Sequence, residues 1–136
     1  MSGLINRLVA AYLRRRMTHI RRMHTEGPHI QARVFQQLIR NGERTVWGDK
    51  YAYRDIETIA QFQQRVPVQE YDDLAPYFRR MLLGERSVLW PGRTRHFAKS
   101  AGTTKDKSKF IPISRQNLLG CHIKGTWDTM ATYYDN

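Results

Sequence analysis

Leu4, Ile5, Leu8, Val9, Tyr12, Leu13, Met17, Ile20 and Met23 recur at three- and four-residue spacing, with Arg7, Arg14, Arg15, Arg16, Arg21 and Arg22 mostly on the other face. That pattern predicts a basic amphipathic helix over residues 4–23. Gly27-Pro28 predicts a break, because proline fits a first helical turn better than an interior one. Ile30, Val34, Leu38 and Ile39 mark the inner face of a second helix, closed by Asn41-Gly42. Thr45 to Gly48 is a connector, and a third helix over 55–64 carries Ile56, Ile59, Ala60 and Phe62. Val66-Pro67-Val68 reads as extended. A fourth helix over 72–83 has Asp72 and Asp73 at its positive end and Arg79 and Arg80 further along, with Gly84-Glu85 as its stop.

The second half changes period. Ser87 to Trp90 predicts a short strand, Pro91-Gly92 a turn, and residues 95–99 and 110–113 two strands around a polar loop. Ser114 is a good N-cap for a last helix over 115–134, with Leu118, Leu119, His122, Ile123, Trp127, Met130 and Tyr134 available for burial. The expected class is α/β, with α+β as the alternative: residues 1–83 mainly helical, then 87–136 as strand, loop, strand and helix.

Composition narrows the function classes. The chain has 136 residues and 40% hydrophobic content, enough for a core of ordinary size. Its 23 basic and 12 acidic residues give a net charge of +11, which favours anionic partners such as nucleotides, nucleic acid or acidic lipid. The first helix, with no acid before Glu26, has the character of a membrane-surface, nucleic-acid or transit segment, but packing on its own domain with arginines in water is the simpler reading. Its arginines lack interleaved aromatics, so no nucleic-acid partner is expected. The single cysteine, Cys121, excludes an internal disulfide and a Cys-rich metal site. No apolar run is of transmembrane length, so no stable membrane insertion is expected and the cytoplasm is the simplest compartment.

Three clusters invite chemistry that their spacing does not support. His19, His24 and His29 are five residues apart, which is no helical face, so no metal centre is expected. Asp72 and Asp73 diverge by about 100° on a helix and suit capping better than acid–base work. Cys121 and His122 diverge likewise, which makes a nucleophilic dyad poor and a structural cysteine the better reading.

The loop from Ser100 to Lys109 is different. It is a run of small, hydroxylated and cationic residues with Gly102 at its bend. Such a loop can cradle phosphate, since small side chains let backbone N–H groups approach an anion while Ser, Thr and Lys add donors and charge. A solvated hairpin loop has the same composition. Two known motifs are excluded by spacing: a Walker A loop needs a second glycine before Lys107-Ser108, and a dinucleotide fingerprint needs three glycines.

Val66-Pro67-Val68, Tyr71 to Leu74, Pro76-Tyr77, Gly84-Glu85, Phe97, Ser100 to Thr104 and Lys109 to Pro112 together resemble the N-terminal part of the auxin-responsive Gretchen Hagen family. These are acyl acid amido synthetases of the adenylate-forming superfamily. The family's first nucleotide motif, Ser-Ser-Gly-Thr-Ser/Thr-x-Gly-x-x-Lys, falls on Ser100 to Lys109, and the resemblance spans at least Thr45 to Pro112. It implies ATP and Mg2+ as cofactors, with Ser100, Ala101, Gly102, Thr103, Thr104 and Lys109 at the nucleotide and Lys109 as the charge-stabilising catalytic residue. Ala101 replaces the second serine and removes one hydroxyl donor; Asp106 replaces the second glycine. Asp106 is open to three dispositions: facing solvent, pairing with Lys105 or Lys107, or lying near Mg2+.

The implied substrates are a small carboxylic acid and an amino acid. Because the family is several times longer, residues 1–136 are expected to be an incomplete N-terminal portion of one large domain. Its partner would be the missing C-terminal portion, with the piece inactive by itself. The alternative is a non-catalytic basic fragment that binds anionic lipid or nucleic acid through the first helix.

Overall fold

The computed structural model describes residues 2–100 and 108–135. In chain order these form α1 (Ser2–Gly42), α2 (Val46–Lys50), a 3-10 turn (Tyr53–Asp55), α3 (Ile59–Arg65), α4 (Tyr71–Leu82), β1 (His96–Lys99) and β2 (Phe110–Ile113). A last helical stretch follows: α5 (Arg115–Asn117), a π-helical segment (Leu118–Ile123) and α6 (Lys124–Asp135). The described residues are thus mostly helical, with one two-stranded antiparallel sheet. The chain divides into two compact units, one made of Met1–Ala32 with Gln116–Asn136, the other of Arg33–Arg115.

In the first unit, α1 buries Leu13 and α6 buries Ala131. Tyr12 meets Trp127 edge to face at 5.3 Å. Arg16 forms an ion pair with Asp128, its Nε donating at 2.6 Å, and Arg21 pairs with Asp135 at 2.6 Å. Two of the arginines expected in water therefore hold α6. The expected break at Gly27-Pro28 is absent: α1 runs through it with Pro28 inside. Proline withholds one N–H from the ladder, but Pro28 and the residue it would serve, His24, are both exposed, so water can satisfy the released carbonyl.

The second unit turns on a corner after α1. Thr45 is the N-cap of α2, its Oγ1 donating to the Gly42 carbonyl at 2.7 Å and accepting the Gly48 N–H at 2.9 Å. The Val46 and Trp47 N–H groups donate to the carbonyls of Ser87 and Val88 at 2.9 and 3.0 Å. The first turn of α2, expected only as a connector, is thereby satisfied from a segment far along the chain.

That use explains why residues 87–90 are not the expected strand. Ser87 has φ of 54°, a left-handed conformation foreign to a strand. Its N–H donates to Gly92 O at 2.8 Å, and the Gly92 N–H donates to Ser87 Oγ at 3.1 Å, closing a loop. Val88, 0% exposed, drops from this loop into the core with Phe78 and Met81, and Tyr71, Leu74, Tyr77, Leu89 and Phe97 pack around it.

The third helix begins at Ile59 rather than 55, because Thr58 and Gln61 form a capping box there. Asp73 accepts the Glu70 N–H at 2.9 Å at the start of α4, the capping role expected of it, and Gly84 ends that helix at φ of 90°. Lys50 ties α2 to α4: its ammonium lies 5.2, 5.1 and 5.5 Å from the rings of Trp47, Tyr51 and Tyr77 and donates to Tyr77 Oη at 3.1 Å. The bonds to Tyr77 and Tyr51 hold its pKa above the ordinary lysine value.

β1 and β2 pair with His96 opposite Ile113, Phe97 opposite Pro112, Ala98 opposite Ile111 and Lys99 opposite Phe110. The Ser100 N–H donates to Lys109 O at 3.0 Å, so hydrogen-bonded pairs fall on 100/109 and, by alternation, on 98/111 and 96/113. Phe97/Pro112 and Lys99/Phe110 are the intervening pairs, whose N–H groups point away from the partner strand. Proline is accommodated in β2 for that reason.

A Cβ at Gly48 would lie 2.1 Å from the Gly42 carbonyl oxygen, whereas at Gly125 it would meet nothing within 4 Å. Gly48→Ala is therefore expected to cost about 3 kcal/mol in urea unfolding, and Gly125→Ala in α6 to add up to about 1 kcal/mol. Burial raises the pKa of Tyr53 above the phenol value of 10.0. The neutral phenol thus contributes stability below pH 10.0 that is lost as pH rises above it. Tyr53→Phe, which cannot ionise, is expected to lose less stability than the parent between neutral pH and pH 11, measured by unfolding at each pH.

Candidate functional site

Of the residues assigned to the phosphate cradle, Ser100 and Lys109 lie within the described structure; Ala101, Gly102, Thr103 and Thr104 lie outside it, as does Asp106 and with it the choice among its three dispositions. Ser100 and Lys109 are the two ends of the loop, and the hairpin brings them together. The Ser100 N–H donates to Lys109 O at 3.0 Å, and the Lys109 N–H donates to Ser100 Oγ at 3.0 Å. The second bond uses the serine oxygen as an acceptor and leaves its hydroxyl proton available to donate.

Both residues are half-buried. The Lys109 ammonium sits 5.1 Å from the centre of the Tyr71 ring, at the start of α4. Tyr71 Oη accepts the Phe110 N–H at 3.0 Å. The Tyr71 ring continues into the core through Phe78, 5.4 Å away. Among the described residues no carboxylate forms an ion pair with Lys109.

Tyr71 is the residue that sequence reasoning missed as part of the site. It stands 39 positions before Phe110, and no periodicity links the two. The available signal was its place at the N-terminus of a helix directly after the extended Val66-Pro67-Val68, in one of the blocks that carry the family resemblance.

His19, His24 and His29 lie on α1, and among the described residues no group of three metal-ligating side chains is close enough to hold an ion. Cys121, expected as structural, is exposed, as is its neighbour His122. No described helix is long and apolar enough to cross a membrane.

A mostly helical chain with a hairpin whose two ends are pinned at a polar loop is the class this geometry defines. Residues 16–135 match the GH3 family N-terminal domain, and the chain belongs to that family. It is 31% identical over 110 residues to indole-3-acetic acid-amido synthetase GH3.8 of Oryza sativa subsp. indica, a match covering 76% of this chain and 18% of that protein. It is 34% identical over 86 residues to the putative indole-3-acetic acid-amido synthetase GH3.10 of Oryza sativa subsp. japonica, covering 62% and 18%. Jasmonoyl--L-amino acid synthetase JAR4 of Nicotiana attenuata is 25% identical over 88 residues, covering 64% and 15%. The chain spans less than a fifth of the length of these relatives.

Ser100→Ala removes the acceptor of the Lys109 N–H while keeping the ladder bond from the Ser100 N–H. It is expected to destabilise the hairpin by about 1 kcal/mol and to speed hydrogen exchange at the Lys109 amide more than at the Ala98 amide, read by NMR.

Proposed function

We propose that this chain is the phosphate-binding N-terminal part of an ATP-dependent acyl acid amido synthetase. The observation that supports it best is the pinning of both loop ends by the reciprocal Ser100–Lys109 bonds. An anion bound there would meet the Ser100 hydroxyl and the Lys109 ammonium on backbones already held together. Family membership supports the same chemistry, since its relatives are named as amido synthetases.

In this reading a carboxylate oxygen of the acid substrate attacks the α-phosphorus of Mg–ATP, pyrophosphate leaves, and the resulting acyl adenylate is opened by an amino-acid amine to give an amide and AMP. The chain's own task is electrostatic. The Ser100 hydroxyl, the backbone N–H groups of Ala101 and Gly102, and Thr103 and Thr104 donate to the phosphates, while Lys109 neutralises charge that builds on the departing pyrophosphate. No protein nucleophile takes part. Mg2+ enters with the nucleotide. The 136 residues by themselves are expected to be inactive, because they span less than a fifth of the relatives' length.

A second reading, attachment to anionic lipid, is favoured by one observation: Leu4, Ile5 and Leu8 of α1 are 67%, 58% and 64% exposed beside Arg7, Arg14 and Arg15. Sedimentation with phosphatidylglycerol vesicles that survives deletion of residues 1–24 would remove it.

Lys109→Ala in the full-length protein is expected to lower carboxylate-dependent exchange of pyrophosphate into ATP tenfold or more, about 1.4 kcal/mol of transition-state stabilisation. Unchanged exchange would take Lys109 out of the mechanism.

A further inference from the structure

We propose that Tyr71 is the positioning residue for Lys109, an inference that rests on the ligase reading above. Lysine carries its charge on a long flexible stem, so an ammonium that must meet a phosphate has to be held near the loop before the substrate arrives. A carboxylate would hold it, but would also cancel its charge and occupy its donors. An aromatic face holds the ammonium through the ring quadrupole and leaves its N–H groups free. Tyr71 offers that face at 5.1 Å.

The phenol oxygen sets where the face lies. Phe110 belongs to an intervening pair of the hairpin, so its N–H points away from β1 and lacks a ladder partner. Tyr71 Oη supplies one at 3.0 Å. One side chain thus grips the backbone at 110 and the side chain at 109. Its ring is in turn fixed against Phe78, which is buried in the core. The Lys109 ammonium is thus held from α4.

The test compares Lys109→Ala, Tyr71→Leu, Tyr71→Phe and the double variant Tyr71→Leu/Lys109→Ala in the full-length protein, following pyrophosphate exchange into ATP. Tyr71→Leu, which removes the ring, is expected to lower the maximal exchange rate about fivefold with KM for the acid unchanged. Tyr71→Phe, which keeps the ring, should retain at least half the rate. The double variant should match Lys109→Ala alone, because a positioning residue has nothing left to position.

If the parent protein shows no carboxylate-dependent exchange, the ligase reading falls; if it exchanges and Lys109→Ala leaves the rate unchanged, the ligase reading stands and the positioning role is overturned. If Lys109→Ala is impaired but Tyr71→Leu is not, or if the two losses simply multiply, the ligase reading stands and the positioning role is overturned. Equal loss in Tyr71→Phe and Tyr71→Leu would also overturn it, by assigning the effect to the phenol bond alone. An independent readout needs no variant: the ε-methylene protons of Lys109 should be shifted upfield by the Tyr71 ring current in the unliganded protein. A lysine resonance at its ordinary position would overturn the proposal even if Tyr71→Leu failed to fold.

Discussion

The corner at Gly42 to Gly48 is the constraint on which the second unit depends. Two glycines meet there: without a Cβ, Gly48 lets α2 approach the last carbonyl of α1, and Gly42 leaves room for the Tyr53 ring. Thr45 satisfies both sides of the turn with one hydroxyl, donating backwards to Gly42 and accepting from Gly48. The remaining open donors of α2 then have to be met from elsewhere, and Ser87 and Val88 meet them. That requirement carries Val88 into the core against Phe78 and Met81 of α4.

Helix α4 carries the constraint on to the hairpin. The helix that buries Phe78 and Met81 begins at Tyr71, and Tyr71 touches the loop end of the hairpin at the side chain of Lys109 and the backbone of Phe110. The same helix receives Lys50 through Tyr77. In both places a cation rests on a tyrosine face, which anchors it without neutralising it. At Lys50 the result is a tie between helices, and at Lys109 it is an ammonium held at the loop end of the hairpin.

Local chemistry was legible where one stretch contained everything the structure used. Helix α4 was readable from Asp73 and Gly84, the strands from residues 96–99 and 110–113, and the two loop ends from the Ser100 to Lys109 motif. The errors share a cause. Ser87 to Trp90 has strand composition, but its hydrogen bonds go to α2 and its first residue is left-handed. Gly27-Pro28 has break composition, but an exposed proline costs one hydrogen bond that water can replace, and α1 continues.

What the sequence by itself determined was the order and type of most elements, the basic character of the chain, and the family to which the motif and its flanks belong. Period, caps and motif spacing are properties of neighbouring residues, so they can be read without a fold. Which distant side chain would meet Lys109 was decided only by tertiary structure. Tyr71 and Lys109 carry no mark of each other in sequence; they meet because Val88 packs α4 into the core and the hairpin turns its unpaired Phe110 N–H outward to that helix.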